Sequence, residues 1–237
     1  MSSGYDWMHA QADAAKKIGT LISFLSLVWN VPVEVQESPA PLEWGERLPQ
    51  DRPAWVKEDA FTHHEYPDMA DLPPFELPDW MESGWILLNR RAKLQRALSI
   101  YMEGVRIQDK HPSLALVSFV AAVESISLML FHEQKCSTCP NHINIGEKFR
   151  ATLELVVAGG ELESLRAVYG NRSRTVHEGR LHGAEVSPGF ISFSLFGGGS
   201  SDAVVRGSLL GMGNAARKLL IMAVRGQLPG ISHFRKE

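Results

Sequence analysis

Four arginines, Arg166, Arg172, Arg174 and Arg180, fall within 15 residues beside His177, in the segment from Leu165 to Arg180. Tyr169, Ser173 and His177 are spaced by four. On a helix they line one face, where Ser173 can hydrogen-bond or orient the His177 ring. Arg172 and His177 are five apart, which separates them by about 140° around a helix and about 7.5 Å along it. One helix alone does not aim both at one atom. Either the long Arg172 reaches across, or a second copy of the helix completes the site. The same spacing also describes an amphipathic helix end with solvated arginines and a histidine placed on the helix dipole.

A second cluster holds His132, Cys136, Cys139 and His142 within 11 residues. Cys136-Ser-Thr-Cys139 has the two-residue spacing that lets one turn present two thiolates to tetrahedral zinc. His132 shares a face with Cys136 if the helix persists that far. With all four positions filled the site would be closed, hence structural. Two other readings fit the same residues: free thiols in a loop with incidental histidines, and a redox Cys-x-x-Cys, although no βαβ pattern surrounds it.

Gly211-Met-Gly-Asn-Ala-Ala216 superficially matches a dinucleotide fingerprint, but it sits inside a helical pattern with no strand before it. Close helix packing explains those glycines better. Gly197–Gly199 lacks the Lys-Ser/Thr of a phosphate loop and reads as a turn.

The elements that must position these residues are mainly helical. Apolar residues recur at threes and fours over Glu82–Gln108, Ile145–Ala158 and Asp202–Arg225. Ser113–Glu133 is apolar almost all round, with Glu124 the one acidic residue inside the run, so this helix is expected at the centre. Pro112 suits its first turn. Gly159-Gly160 is expected to close the Ile145–Ala158 helix, and the next to span Leu162–His177. Phe190–Phe196 alternates with period two, a short β element, and Val31–Val35 is a second short strand signal.

Composition bounds the rest. The chain has 237 residues, 44% hydrophobic and 22% charged, which excludes wholesale disorder and a fibrous repeat. Two cysteines exclude a disulfide framework. A net charge of −3 argues against coating long nucleic acid by bulk charge and leaves a local basic site open. Between Glu34 and Ile86 there are 13 acidic against three basic residues, and Pro32 to Pro78 holds nine of the 13 prolines. That stretch is expected to be extended and irregular, with its tryptophans and phenylalanines lying on a folded body. The division expected is residues 1–84, an amino-terminal helix plus this acidic segment, and 85–237, a helical domain. The apolar run Ile18–Trp29 is about 12 residues where about 20 are needed to span a bilayer. A buried helix end fits it better than an export signal, because Asp6 and Asp13 precede the run. The expectation is a cytoplasmic protein with no membrane partner.

The arrangement Tyr169, Arg172-Ser173, Val176-His177 and then Gly179 resembles the signature of the HEPN superfamily, in particular its Apea-like branch. There an Arg, often preceded by a Tyr, is followed by a polar residue and then by a His with four to six residues between it and the Arg. A Gly often follows closely. Four residues separate Arg172 from His177. The long helix with Ala122-Val-Glu-Ser125 at its centre resembles the branch's Ala-Leu-Glu helix, and a helix containing Phe149–Val156 follows in the expected order. The resemblance covers about residues 85–225. Two positions depart from it: Ser173 stands where many active members carry Asn, Asp or His, and the Gly comes one residue late, after Glu178.

The resemblance implies an antiparallel helical bundle that dimerises through the helices carrying the motif. It also implies a metal-independent endoribonuclease. His177 would be the general acid or base on the 2′-hydroxyl or the leaving 5′-oxygen. Arg172 would hold the scissile phosphate, braced by Glu124, and Ser173 would orient His177 or donate to phosphate. Arg166, Arg174 and Tyr169 would contact the RNA. Products would end in 2′,3′-cyclic phosphate. Such a protein would act as a toxin with an antitoxin, or as a phage-defence effector with a defence partner. The competing class is a non-catalytic HEPN module that binds RNA, a nucleotide or a protein. A purely structural dimerisation protein would need only the bundle.

Overall fold

The computed structural model describes residues 6–33, 35, 77–131, 145–178 and 200–229; at 171–174, 176–178 and 200–206 the description is of the helical backbone, apart from the buried Thr175. The described chain is mainly helical: α1 Trp7–Trp29, α2 Met81–Arg90, α3 Ala92–Ile107, α4 Pro112–Leu130, α5 Ile145–Leu153, α6 Gly159–Glu178 and α7 Ser200–Val224. Among the described residues there is no strand. Val31, Pro32, Val33 and Val35 are in neither helix nor strand, and Phe190–Phe196 lies outside the described residues.

The chain divides into two compact units, one of Met1–Lys17 with Gln36–Asp79 and one of Ile18–Val35 with Trp80–Glu237. Of the first, the described part is the start of α1 and residues 77–79. Asp6 caps α1: the His9 N–H donates to its carboxylate at 2.9 Å, and this bond holds the Asp6 carboxyl below its usual range. Most of the acidic, proline-rich stretch lies outside the described residues.

The second unit is built around α4, which packs against α3, α5, α6 and α7. Its all-round apolar sequence is the cause: Leu116, Phe119, Val120, Val123, Ile126 and Leu130 are buried toward different neighbours. α4 is also long and apolar enough to cross a membrane, but most of that surface is buried among the other helices. His111 precedes Pro112, which opens α4 at a position whose missing N–H breaks no helical bond.

Phe119 is the wedge of this core. Its ring lies between Gly104 of α3 and Gly213 of α7. A Cβ on Gly104 would come within 2.6 Å of the ring and one on Gly213 within 3.2 Å. A Cβ on Gly211 would meet Leu165 of α6 at 3.2 Å. Gly211 and Gly213 are therefore helix-packing residues, as their helical context suggested, and α7 approaches α4 and α6 through them.

Several helix boundaries differ from expectation. The predicted helix over Glu82–Gln108 is two helices, because Arg91 adopts φ −125° and ψ 89°. The Leu88 carbonyl, released from the helical ladder, accepts instead from the Arg91 N–H at 3.1 Å and the Gln95 side-chain amide at 3.1 Å. α5 ends at Leu153 rather than Ala158. The chain tightens there through Val156 N–H to Leu153 O at 3.0 Å, ahead of two β-branched residues that resist helix. Gly159, at φ 62°, then turns the chain into α6, so the glycine pair opens a helix instead of closing one.

The apolar run Ile18–Trp29 forms the second half of α1 and buries Ile22, Phe24, Leu27 and Val28. Phe24 packs against Trp80 and Trp85, with ring centroids 6.1 and 6.0 Å apart. The helix end is satisfied from a distance. Arg217 of α7 donates to the Leu27 carbonyl at 2.9 Å and the Val28 carbonyl at 2.7 Å, two acceptors that a helix terminus leaves open. Asn30, at φ 57°, turns the chain away and accepts from the Tyr101 hydroxyl at 3.0 Å.

Burial pushes the Tyr101 phenol up to about 12, with the Arg217 charge acting in the opposite direction. A raised pKa means the folded state holds this proton more tightly than the unfolded chain does. The stability it confers is complete below the unfolded pKa of about 10 and is lost as pH climbs through about 12. Wild type should therefore lose about 2 kcal/mol relative to Tyr101→Phe on going from neutral pH to about pH 12. Urea titrations of both proteins at several pH values check this. A difference that stays constant with pH would contradict it.

Candidate functional site

α6 packs against α4, α5 and α7, and its register sorts the motif. At about 100° per residue, positions 165, 168, 172 and 175 form one stripe. Leu165, Val168 and Thr175 on that stripe are buried. Positions 166, 173 and 177 lie on a different side, with Tyr169 on the border between the two. Helical backbone is continuous to Glu178, so Arg172 and His177 keep the divergence of about 140° that their spacing requires. Ser173 and His177 share the side that carries Arg166.

Tyr169 joins this helix to the core. Its hydroxyl donates to Glu124 Oε1 at 3.0 Å. Its ring packs on Phe149 of α5 with centroids 4.7 Å apart. Glu124 is 8% exposed, so the single acidic residue of the central helix is spent inside the bundle, directly beneath the motif helix. The expected contact of Glu124 with Arg172 involves a side chain that is not described. A second buried polar link ties α5 to α4: Ser127 Oγ is 2.8 Å from Thr152 Oγ1, and Thr152 donates to the Lys148 carbonyl at 2.8 Å. Together these bonds fix α5 and α6 on α4 in one rotational setting.

Beside Tyr169 the surface opens into a cavity of about 390 Å³ lined by Gly146, Glu147, Phe149, Arg150, Arg166 and Tyr169. Arg166 pairs with Glu163 at 2.7 Å, and Arg150 with Glu154 at 3.0 Å. Both pairs lie within one helix turn at the surface, where such contacts contribute little and open readily. Arg150, Glu147 and Phe149 were not singled out as site residues from the sequence. The available signal was the amphipathic α5, which alternates buried Phe149 with exposed Arg150.

The structure thus brings Tyr169, Glu124 and Arg166 into one neighbourhood and carries Arg172, Ser173, Arg174 and His177 on the same helix. His132, Cys136, Cys139 and His142 lie outside the described residues. Among the described residues, no three His, Cys, Asp or Glu side chains are grouped to hold a metal ion. No protein-family model, curated protein or solved structure matches the chain.

Proposed function

We propose that this chain is a HEPN-type, metal-independent endoribonuclease that works as a homodimer. The observation that supports it most is the single unbroken helix α6, held to Glu124 through Tyr169 and carrying Arg172, Ser173 and His177 in fixed register. In this reading His177 takes the proton from the RNA 2′-hydroxyl or returns one to the leaving 5′-oxygen. Arg172 neutralises the charge that builds on the phosphorus oxygens. Ser173 orients the imidazole. The divergence within one helix is resolved by a second copy across a two-fold axis, where isologous contact sets each motif beside its equivalent.

The chemistry needs a strand with a 2′-hydroxyl, so DNA of the same sequence is not cut. A toxin or phage-defence role, with an antitoxin or other defence partner, follows from the same reading. Separately, the spacing of His132, Cys136, Cys139 and His142 supports a structural zinc, which would pin the end of α4 to the start of α5 and add to folding stability. Ser173, in place of the Asn, Asp or His of many active relatives, favours a second reading: a non-catalytic module that binds RNA, a nucleotide or a protein partner through the same arginines.

Incubation of labelled single-stranded RNA with wild type and with His177→Ala separates the two. Loss of an acid–base group is expected to slow cleavage by about 10² to 10⁴. Equal rates for both proteins would remove His177 from the chemistry. RNA binding with no cleavage by wild type would select the binding module.

A further inference from the structure

We propose that the cavity walled by Gly146, Glu147, Phe149, Arg150, Arg166 and Tyr169 is an accessory nucleotide subsite, which grips the phosphate and base of an RNA residue some way along the strand from the cleaved bond. The identity of the ligand as RNA rests on the ribonuclease reading above.

The cavity, at about 390 Å³, is in the size range of small-molecule sites. Two guanidinium groups from different helices, Arg150 on α5 and Arg166 on α6, border the same space. Among the described residues Arg150 spends only Nε on Glu154, and Arg166 spends one terminal nitrogen on Glu163. Each keeps N–H donors in the planar arrangement that matches phosphate oxygens. Their present partners are exposed carboxylates close by in the chain, which a phosphate can displace.

The aromatic side of the cavity is rigid before any ligand arrives. Phe149 is buried, and the Tyr169 ring is fixed between it and the Glu124 carboxylate. The part of the Tyr169 ring left exposed, beside a cationic rim, is the combination on which a single-stranded RNA base packs.

Position along α6 sets the distance to the chemistry. Tyr169 is eight residues and Arg166 eleven residues before His177, which is about 12 and about 16 Å of helix rise. Arg166 also falls on the side of α6 that carries positions 173 and 177. Arg166 is also six residues from Arg172, about 9 Å of rise and about 120° around the helix, so the cavity serves a neighbouring nucleotide rather than the scissile phosphate itself.

The test is binding of a fluorescein-labelled, fully 2′-O-methylated RNA octamer, which cannot be cleaved, to the full chain by fluorescence anisotropy. Arg150→Ala is expected to weaken binding about tenfold and to reduce the salt slope by about one phosphate contact. Arg150→Lys should restore part of the affinity. Arg106→Ala, which removes an exposed arginine on α3 paired with Glu103, is the control for bulk charge and should change affinity by less than about twofold. Thermal melting of each variant checks that the fold is kept. Equal affinity of wild type and Arg150→Ala would overturn the proposal, as would no binding by wild type, or an equal loss in the Arg106→Ala control. If the Arg150 effect is present but unmodified RNA is never cut, the subsite stands and the ribonuclease reading fails.

Discussion

A mixture of Arg172→Ala and His177→Ala proteins is expected to cleave RNA when neither does so alone. Each variant alone should be slowed by about 10² to 10⁴ relative to wild type, the effect of losing a charge-stabilising or proton-transferring group. The reason for rescue is the register of α6. Arg172 and His177 diverge by about 140° on a continuous helix, so in the proposed dimer the pair that meets one phosphate would be drawn from two copies. A mixed dimer then has one site with both residues intact and one with neither. After subunit exchange at equal concentrations, about a quarter of wild-type activity should return. Turnover assays on the mixture, with sedimentation to confirm the dimer, give the answer. If both groups act from the same chain, the mixture stays as inactive as its components.

Phe119→Ala should destabilise the protein by about 3–5 kcal/mol, the range for removing a buried aromatic ring from a packed core. The ring is 2% exposed, touches Tyr101 at a centroid distance of 5.6 Å and fills the space between Gly104 and Gly213. The converse substitution, Gly104→Ala, places a Cβ 2.6 Å from that ring and should cost about 1–3 kcal/mol through overpacking. Because the two positions share one contact, their effects should not add. The double variant Gly104→Ala/Phe119→Ala should be more stable than the sum of the singles allows, since the new methyl then points into the vacated space. Chemical denaturation of the four proteins measures this. Strict additivity would mean that α3 does not close on Phe119 as described.

What the sequence made legible was what periodicity and punctuation encode. The all-round apolar run around Glu124 marked α4 as central, and it touches four other helices. Pro112 marked its start. The helical setting of Gly211 and Gly213 marked them as packing residues, which their contacts with Leu165 and Phe119 explain.

The features that stayed hidden depend on partners far apart in the chain or on backbone choices with no composition signal. No Gly or Pro stands at the break at Arg91, and the loss there is offset by Gln95. Gly159-Gly160 can end one helix or begin the next, and only the early tightening after Leu153 decides between them. Arg217 closes the end of α1 from about 190 residues away, as its hydrogen bonds record. In the same way, Tyr169 was legible as part of a helical face. Its bond to Glu124 and the cavity it shares with Arg150 come from the packing of three helices.

The most direct measurement is the chemistry of the cut ends when wild-type protein digests a defined RNA in the presence of a strong chelator. In the proposed mechanism, general acid–base catalysis through His177, with Arg172 on the phosphate, would use the neighbouring 2′-hydroxyl as nucleophile. Mass spectrometry should therefore find 2′,3′-cyclic phosphate on one fragment and a 5′-hydroxyl on the other. The rate should be unchanged by the chelator below the melting temperature, even where removal of a structural zinc from the His132–His142 cluster lowers that temperature. Fragments ending in 5′-phosphate and 3′-hydroxyl, or cleavage that stops with the chelator while the fold stays intact, would contradict it.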